Sequence, residues 1–272
     1  MEPIVRLGAF ASVFLLMALW EAAVPRRRQA LGRRVRWPAN LGMVLLGTLL
    51  VRLVLPAGAV GASLLAQSKG WGVLNAVAMP GWVAVSVSVV LLDLAIYAQH
   101  VLFHAVPVFW RLHRMHHADL EFDVSTGVRF HPVEILLSMV IKCAAVIALG
   151  APPVAVLVFE VLLNASSMFS HGNVRLPGRL DGLLRLLVVT PEMHRVHHSV
   201  IRRETDSNFG FNVPWWDRMF GTYRAQPAAG HEGMTIGLPQ FRDPGALRLG
   251  PMLVQPLQDT PAADGTLPRA PM

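Results

Sequence analysis

HVLFHAVPVFWRLHRMHH, residues 100–117, and HRVHH, residues 194–198, decide how this chain reads. They hold eight histidines, His100, His104, His113, His116, His117, His194, His197 and His198, spaced three and four apart within each cluster. On a helix, residues at those spacings lie on one face within about 6 Å of each other, so each cluster can aim several rings at one point. Neutral imidazole is a good ligand for iron, zinc, copper or nickel. Surface charge does not explain the clusters, because histidine is mostly neutral at pH 7. One tetrahedral zinc takes about four protein ligands, so eight histidines overfill one ion and predict two.

Outward from the clusters the chain is apolar. Of its 272 residues 53% are hydrophobic and 15% charged, and the mean hydropathy is +0.46. A soluble domain carries about a quarter charged residues, so a water-soluble α/β enzyme is excluded. The stretch Ile4 to Val24 reads as an uncleaved span, since its basic residues follow it and no convincing cleavage site does. Leu41 to Leu65, interrupted by Arg52 and Pro56, reads as a kinked span with a re-entrant end, and Trp82 to Val101 as a third. Val133 to Phe169 is a hairpin of two spans broken at Gly150-Ala151-Pro152-Pro153, where proline cannot donate to the helix ladder. The expected fold is an all-α membrane bundle of four to five spans under a histidine-rich helical cap. Residues 1–80 are the N-terminal spans and basic loop, 81–224 the catalytic region, and 225–272 a Pro/Gly-rich tail expected as loop or disorder.

Single Cys143, in an apolar run, excludes a disulfide framework, a zinc ribbon, an iron–sulfur cluster and a CxxC pair. The net charge of +7 gathers beside hydrophobic runs and reads as topology rather than nucleic-acid binding. Six arginines (Arg26, Arg27, Arg28, Arg33, Arg34, Arg36) follow the first span, which places that loop in the cytoplasm. Threading the remaining spans then puts every histidine cluster on the same face.

From Leu92 to Tyr223 the chain resembles the fatty acid hydroxylase and sterol desaturase superfamily of membrane di-iron oxygenases. The likeness runs through HVLFH, HRMHH, RFHPVE (129–134), SHGNVRLP (170–177), HRVHH, NFG (208–210) and WWDRMFGT (215–222). It implies a four-helix anchor, a cytosolic cap and a non-haem centre of two iron ions, with zinc able to replace iron on purification. Dioxygen is the implied co-substrate. The eight clustered histidines match the family's metal ligands, and His171 matches a further one. His131 is implied either as a ligand or as a structural residue before Pro132. Some hydroxylases carry HxxxH where this chain has His171 followed by Arg175, which favours the sterol-desaturase-like branch. The reaction implied is hydroxylation or desaturation of a sterol, hopanoid, fatty acyl or related chain entering from the bilayer. No flavin, haem or iron–sulfur motif is present, so electrons come from a separate ferredoxin or haem-protein reductase system. The Arg-rich composition points to a bacterial inner membrane.

Other polar residues have two readings each. Asp93 lies seven residues before His100 on a similar face and either orients a ligand histidine or pairs with Arg52. Asn208 and Asp217 read as supports for the ligands or for the cap fold. Arg52, Lys142 and Glu160 read as intrabundle pairs or snorkelling residues, and His231 as an exposed tail residue. Two rival functions are a zinc-dependent membrane hydrolase and a non-enzymatic metal or haem carrier. The first lacks HExxH, since Glu192 precedes His194 by only two positions, and the second lacks a ligand series across the spans.

Overall fold

The computed structural model describes residues 2–259. Five helices, or helix pairs, are long and apolar enough to cross a membrane. They are α1 (Glu2–Ala23), the broken pair α2 (Arg33–Val54) and α3 (Gly58–Lys69), α4 (Gly81–Ala105), α6 (Pro132–Leu149) and α7 (Pro153–Ser170), with α5 (Pro107–His117) lying between the last three in the cap. Among the described residues there is no strand, only the isolated bridges Pro25–Val174 and Ser199–Ile236.

Local chemistry sets the boundaries. Proline opens α5, α6 and α7, where its missing N–H is one the first turn leaves unbonded anyway. Gly150 ends α6 in the left-handed region at φ 69°, and Pro152 and Pro153 restart the chain as α7, giving the expected hairpin. The break at Leu55–Ala57 separates α2 from α3, as Pro56 requires. Leu15, Leu16, Leu19, Leu45, Leu49 and Leu53 are exposed on the outer faces, while Ala59, Leu92, Ile96, Val146, Val156 and Phe159 pack between helices. That inside-out distribution suits a bundle in lipid.

The spans alternate in direction, so one end collects the basic loop and every histidine cluster. α1 is tied to that end by Glu21, which accepts from the Val124 and Asn173 amides at 2.7 and 2.9 Å. α2 is tied there by Arg36, fully buried, which grips Asp119 with two parallel bonds of 2.7 Å and Asp123 with a third of 2.6 Å. Arg26 binds Glu192 at 2.7 Å and Arg27 the Met234 carbonyl at 2.8 Å. Several arginines that read as a topological signal are therefore also structural ties to the cap.

The cap continues through α8 (Gly178–Leu184) and α9 (Pro191–His197) into short turns and irregular chain. The tail differs from the expected disorder as far as residue 259; residues 260–272 lie outside the described part. Much of it is irregular, but it is docked. Arg111 and Arg114 donate to the carbonyls of Pro256 and Gln255 at 2.7 and 2.6 Å, and Met252 is fully buried against Met43 and Met115. Met234 and Ile236 cover Phe122. Composition predicted no periodic element here, yet short helical turns form at Gly230–Gly233, Pro244–Leu247, Leu249–Val254 and Gln255–Leu257, and backbone groups find partners on the cap.

Candidate metal centre

Each histidine is placed by a short helix with a reason to form. α4 is an apolar span whose last turn carries His100 and His104, and the turn at Val106–Pro107 reverses the chain so that α5 brings His113, His116 and His117 back beside them. Thr190 caps α9, its hydroxyl accepting from Met193 N at 3.3 Å, and so aims His194 and His197 inward, with His198 just beyond the helix. His171 follows the last turn of α7.

The nine rings resolve into two groups. His100, His104, His113, His117 and His197 form one, and His116, His171, His194 and His198 the other; within each, one nitrogen per ring lies within 4.8 Å of all the rest. All nine are buried. Burial, reinforced by neighbouring imidazoles, holds His116, His117, His194, His197 and His198 well below the ordinary histidine range, and burial brings His171 down to about 4. These six rings are neutral at pH 7, which is the ligating form.

Hydrogen bonding shows that the groups suit cations. Nδ1 of His100, His197 and His171 each donates to a backbone carbonyl, of Phe209, Ser207 and Ser167, at 2.7 Å. His116 Nδ1 donates to the Arg129 carbonyl at 3.1 Å, and His113 Nδ1 to Glu134 Oε1 at 2.6 Å. A neutral imidazole has one N–H, so Nε2 in all five rings is a bare lone pair. Yet Nε2 of His100 faces Nε2 of His113 and of His197 at 3.1 Å each, and Nε2 of His171 faces that of His116 at 3.2 Å. Lone pairs held that close in a buried site repel unless a cation sits among them. A five-histidine set also exceeds the four ligands of structural zinc.

The remaining sequence candidates separate cleanly. His131 is in neither group: it caps α6, its Nδ1 accepting from Val133 N at 3.2 Å while Nε2 binds the Leu253 carbonyl at 3.2 Å. Proline at the next position makes that cap role the natural one. Asp93 meets neither expectation, since its oxygens accept from Asn212 Nδ2 and Trp216 Nε1 at 2.8 Å each rather than binding histidine or Arg52. It pins segment 209–216 onto α4. Asp217 accepts from the Phe209 and Gly210 amides at 2.8 and 2.9 Å, fixing the loop whose carbonyl orients His100. Asn208, at φ 53°, donates to the Met193 and Arg224 carbonyls at 2.8 Å each, tying α9 to the same loop. His231 is buried rather than exposed and lies 2.9 Å from Glu192, which Arg26 and Arg195 also hold. Glu134 was not singled out by the sequence. Its only signal is a carboxylate in the first turn of an otherwise apolar span.

A cavity of about 430 Å³ runs from His100 and His113 between α1, α2, α4, α6 and α7. Near the rings its wall carries Phe103, Phe130 and Phe211 beside Gln99 and Glu134.

The family model for fatty acid hydroxylase matches residues 85–222. Ornithine lipid hydroxylase OlsE of Rhizobium tropici is 30% identical over 143 residues, 53% of this chain and 42% of that protein. Human alkylglycerol monooxygenase is 30% identical over 150 residues (55% and 32%), and rat cholesterol 25-hydroxylase 28% over 145 residues (53% and 47%). The chain thus spans less than half the length of each of these relatives. No solved structure matches. With a family match covering half its length and the family's histidine clusters gathered into two buried groups, the chain belongs to the fatty acid hydroxylase family.

Proposed function

We propose that the protein is a membrane oxidoreductase that uses two iron ions and dioxygen to hydroxylate a C–H bond of a lipid chain. The observation that supports this reading is the pair of buried histidine groups whose facing lone pairs suit cations, set at the end of a cavity within the spans. His100, His104, His113, His117 and His197 would hold one ion and His116, His171, His194 and His198 the other. When bound, iron supplies the redox chemistry that activates dioxygen, and electrons reach it from a separate ferredoxin or haem-protein reductase system.

The chain's own residues position and exclude. Backbone carbonyls of Ser167, Ser207, Phe209 and Arg129, with Glu134, fix the ring tautomers. Phe103, Phe130 and Phe211 keep water from the cavity end where a substrate carbon would lie. The lipid enters from the bilayer between the spans, since the cap closes the other side. Residues 81–224 are the catalytic region and residues 1–80 complete the cavity wall. Hydroxylation is favoured over desaturation because the relatives named above are hydroxylases and monooxygenases. The shared end of the arginine loop and the histidines supports a cytoplasmic cap in a bacterial inner membrane.

The test is metal analysis combined with turnover under heavy-isotope dioxygen, with a reductase system and a membrane lipid extract. Two irons per chain and one labelled oxygen in a lipid product are expected. Oxygen-independent hydrolysis with a single zinc would replace this reading with the hydrolase.

A further inference from the structure

The cavity continues past the histidines to a charged end for which C–H hydroxylation supplies no role. Lys142 Nζ donates to Glu160 Oε1 at 2.8 Å, Arg6 pairs with the other oxygen of Glu160, and Arg6 Nε also meets Glu2 at 2.8 Å. Lys142 and Glu160 are buried on spans α6 and α7. Ionisable groups inside a membrane bundle are costly and persist where they pair or bind something. Arg6 and Lys142 against Glu2 and Glu160 cancel. Arg52 of α2, an exposed side chain, also lines this cavity and makes no ion pair or side-chain hydrogen bond among the described residues. Among the charged residues lining the cavity, Arg52 thus presents at the accessible surface one positive charge without a protein partner, on the side chain whose planar fork best matches a carboxylate or phosphate.

Distance along the bundle gives the subsite its meaning. Lys142 lies eight residues beyond Glu134 on α6, about 12 Å of helix rise from the carboxylate that holds His113. Between the two ends the wall is mixed, with Ile96, Met139 and Leu163 beside the hydrogen-bonded pair Gln99 and Ser138 and the amide of Asn164.

We propose that the Arg52 end of the cavity is an anion subsite. It takes the carboxylate or phosphate end of an acyl-chain amphiphile and sets which carbon, further along the cavity, meets the five-histidine group. The inference deepens the oxygenase reading and rests on it for its catalytic meaning, but binding itself requires no turnover.

The experiment is equilibrium binding to full-length, metal-loaded protein in uncharged detergent, with palmitate, methyl palmitate and hexadecyl phosphate as probes. Wild type should bind palmitate about tenfold or more tightly than the methyl ester. Arg52→Gln should abolish that preference, and Arg52→Lys should keep most of it, with metal content equal in all three proteins. Tighter binding of hexadecyl phosphate than palmitate assigns a phosphate end, and the reverse order a carboxylate. Equal binding of acid and ester by wild type, or a preference that survives Arg52→Gln, overturns the subsite. An absence of oxygen-dependent turnover with this binding pattern intact would instead count against the oxygenase reading alone.

Discussion

Replacing Glu134 should loosen one metal and spare the other. Its Oε1 accepts from His113 Nδ1 at 2.6 Å with both side chains buried, and no other side chain orients a ring of the five-histidine group so closely among the described residues. A hydrogen bond to a charged group contributes about 1.5–3 kcal/mol net. Loss of a ligand's supporting partner costs roughly 10–100-fold in metal affinity, or about 1.4–2.7 kcal/mol, so the two scales agree. Glu134→Gln keeps an acceptor without its charge and should weaken the ion by about tenfold. Glu134→Ala leaves the His113 N–H buried without an acceptor and should approach 100-fold. In the other group His116 is oriented by the Arg129 backbone carbonyl, which neither substitution removes. Chelator titration followed by elemental analysis should therefore show one ion leaving early and the second at its wild-type concentration. Unchanged retention of both ions in Glu134→Ala would refute the reasoning, and parallel loss of both would show that the groups do not bind separately.

Two further outcomes follow from the cap. Arg36→Met strands the buried carboxylates of Asp119 and Asp123 and should cost about 3–5 kcal/mol, read as a large fall in the unfolding midpoint in detergent; an unchanged midpoint contradicts the structural role. His231→Ala removes one partner of Glu192 while Arg26 and Arg195 remain, so it should cost about 1 kcal/mol and leave both ions bound. Loss of an ion in that variant would mean that the tail, rather than Thr190 and the α9 backbone, sets the third cluster.

The histidine clusters were legible because spacings of three and four suit ligation, and few other constraints produce them five times among eight histidines. The spans were legible because lipid demands long apolar runs, and the hairpin because Gly150 to Pro153 leaves a helix no other course. What escaped depends on contacts between distant residues. Arg36 in a basic loop looks the same whether water or Asp119 and Asp123 surround it, and those partners lie more than eighty residues away. In RFHPVE the histidine drew attention as a ligand, but the carboxylate at the end of the motif reaches the metal group while His131 caps the helix. The tail's Pro/Gly content gave no sign of the short helical turns at Gly230–Gly233, Pro244–Leu247, Leu249–Val254 and Gln255–Leu257. It carried no information about docking, which depends on Arg111 and Arg114 meeting its carbonyls.

Both metal groups draw on elements far apart in the order of synthesis. The first joins α4, α5 and α9, the second α5, α7 and α9, so neither is complete until His197 and His198 have been made, after all five spans. On the proposed reading, metal loading would therefore come late in biogenesis, once the spans have been inserted and α9 has docked. Until then the growing chain exposes only partial ligand sets. The ions would finally act as two staples sharing α5 and α9, locking an already inserted bundle to its cap rather than guiding its assembly.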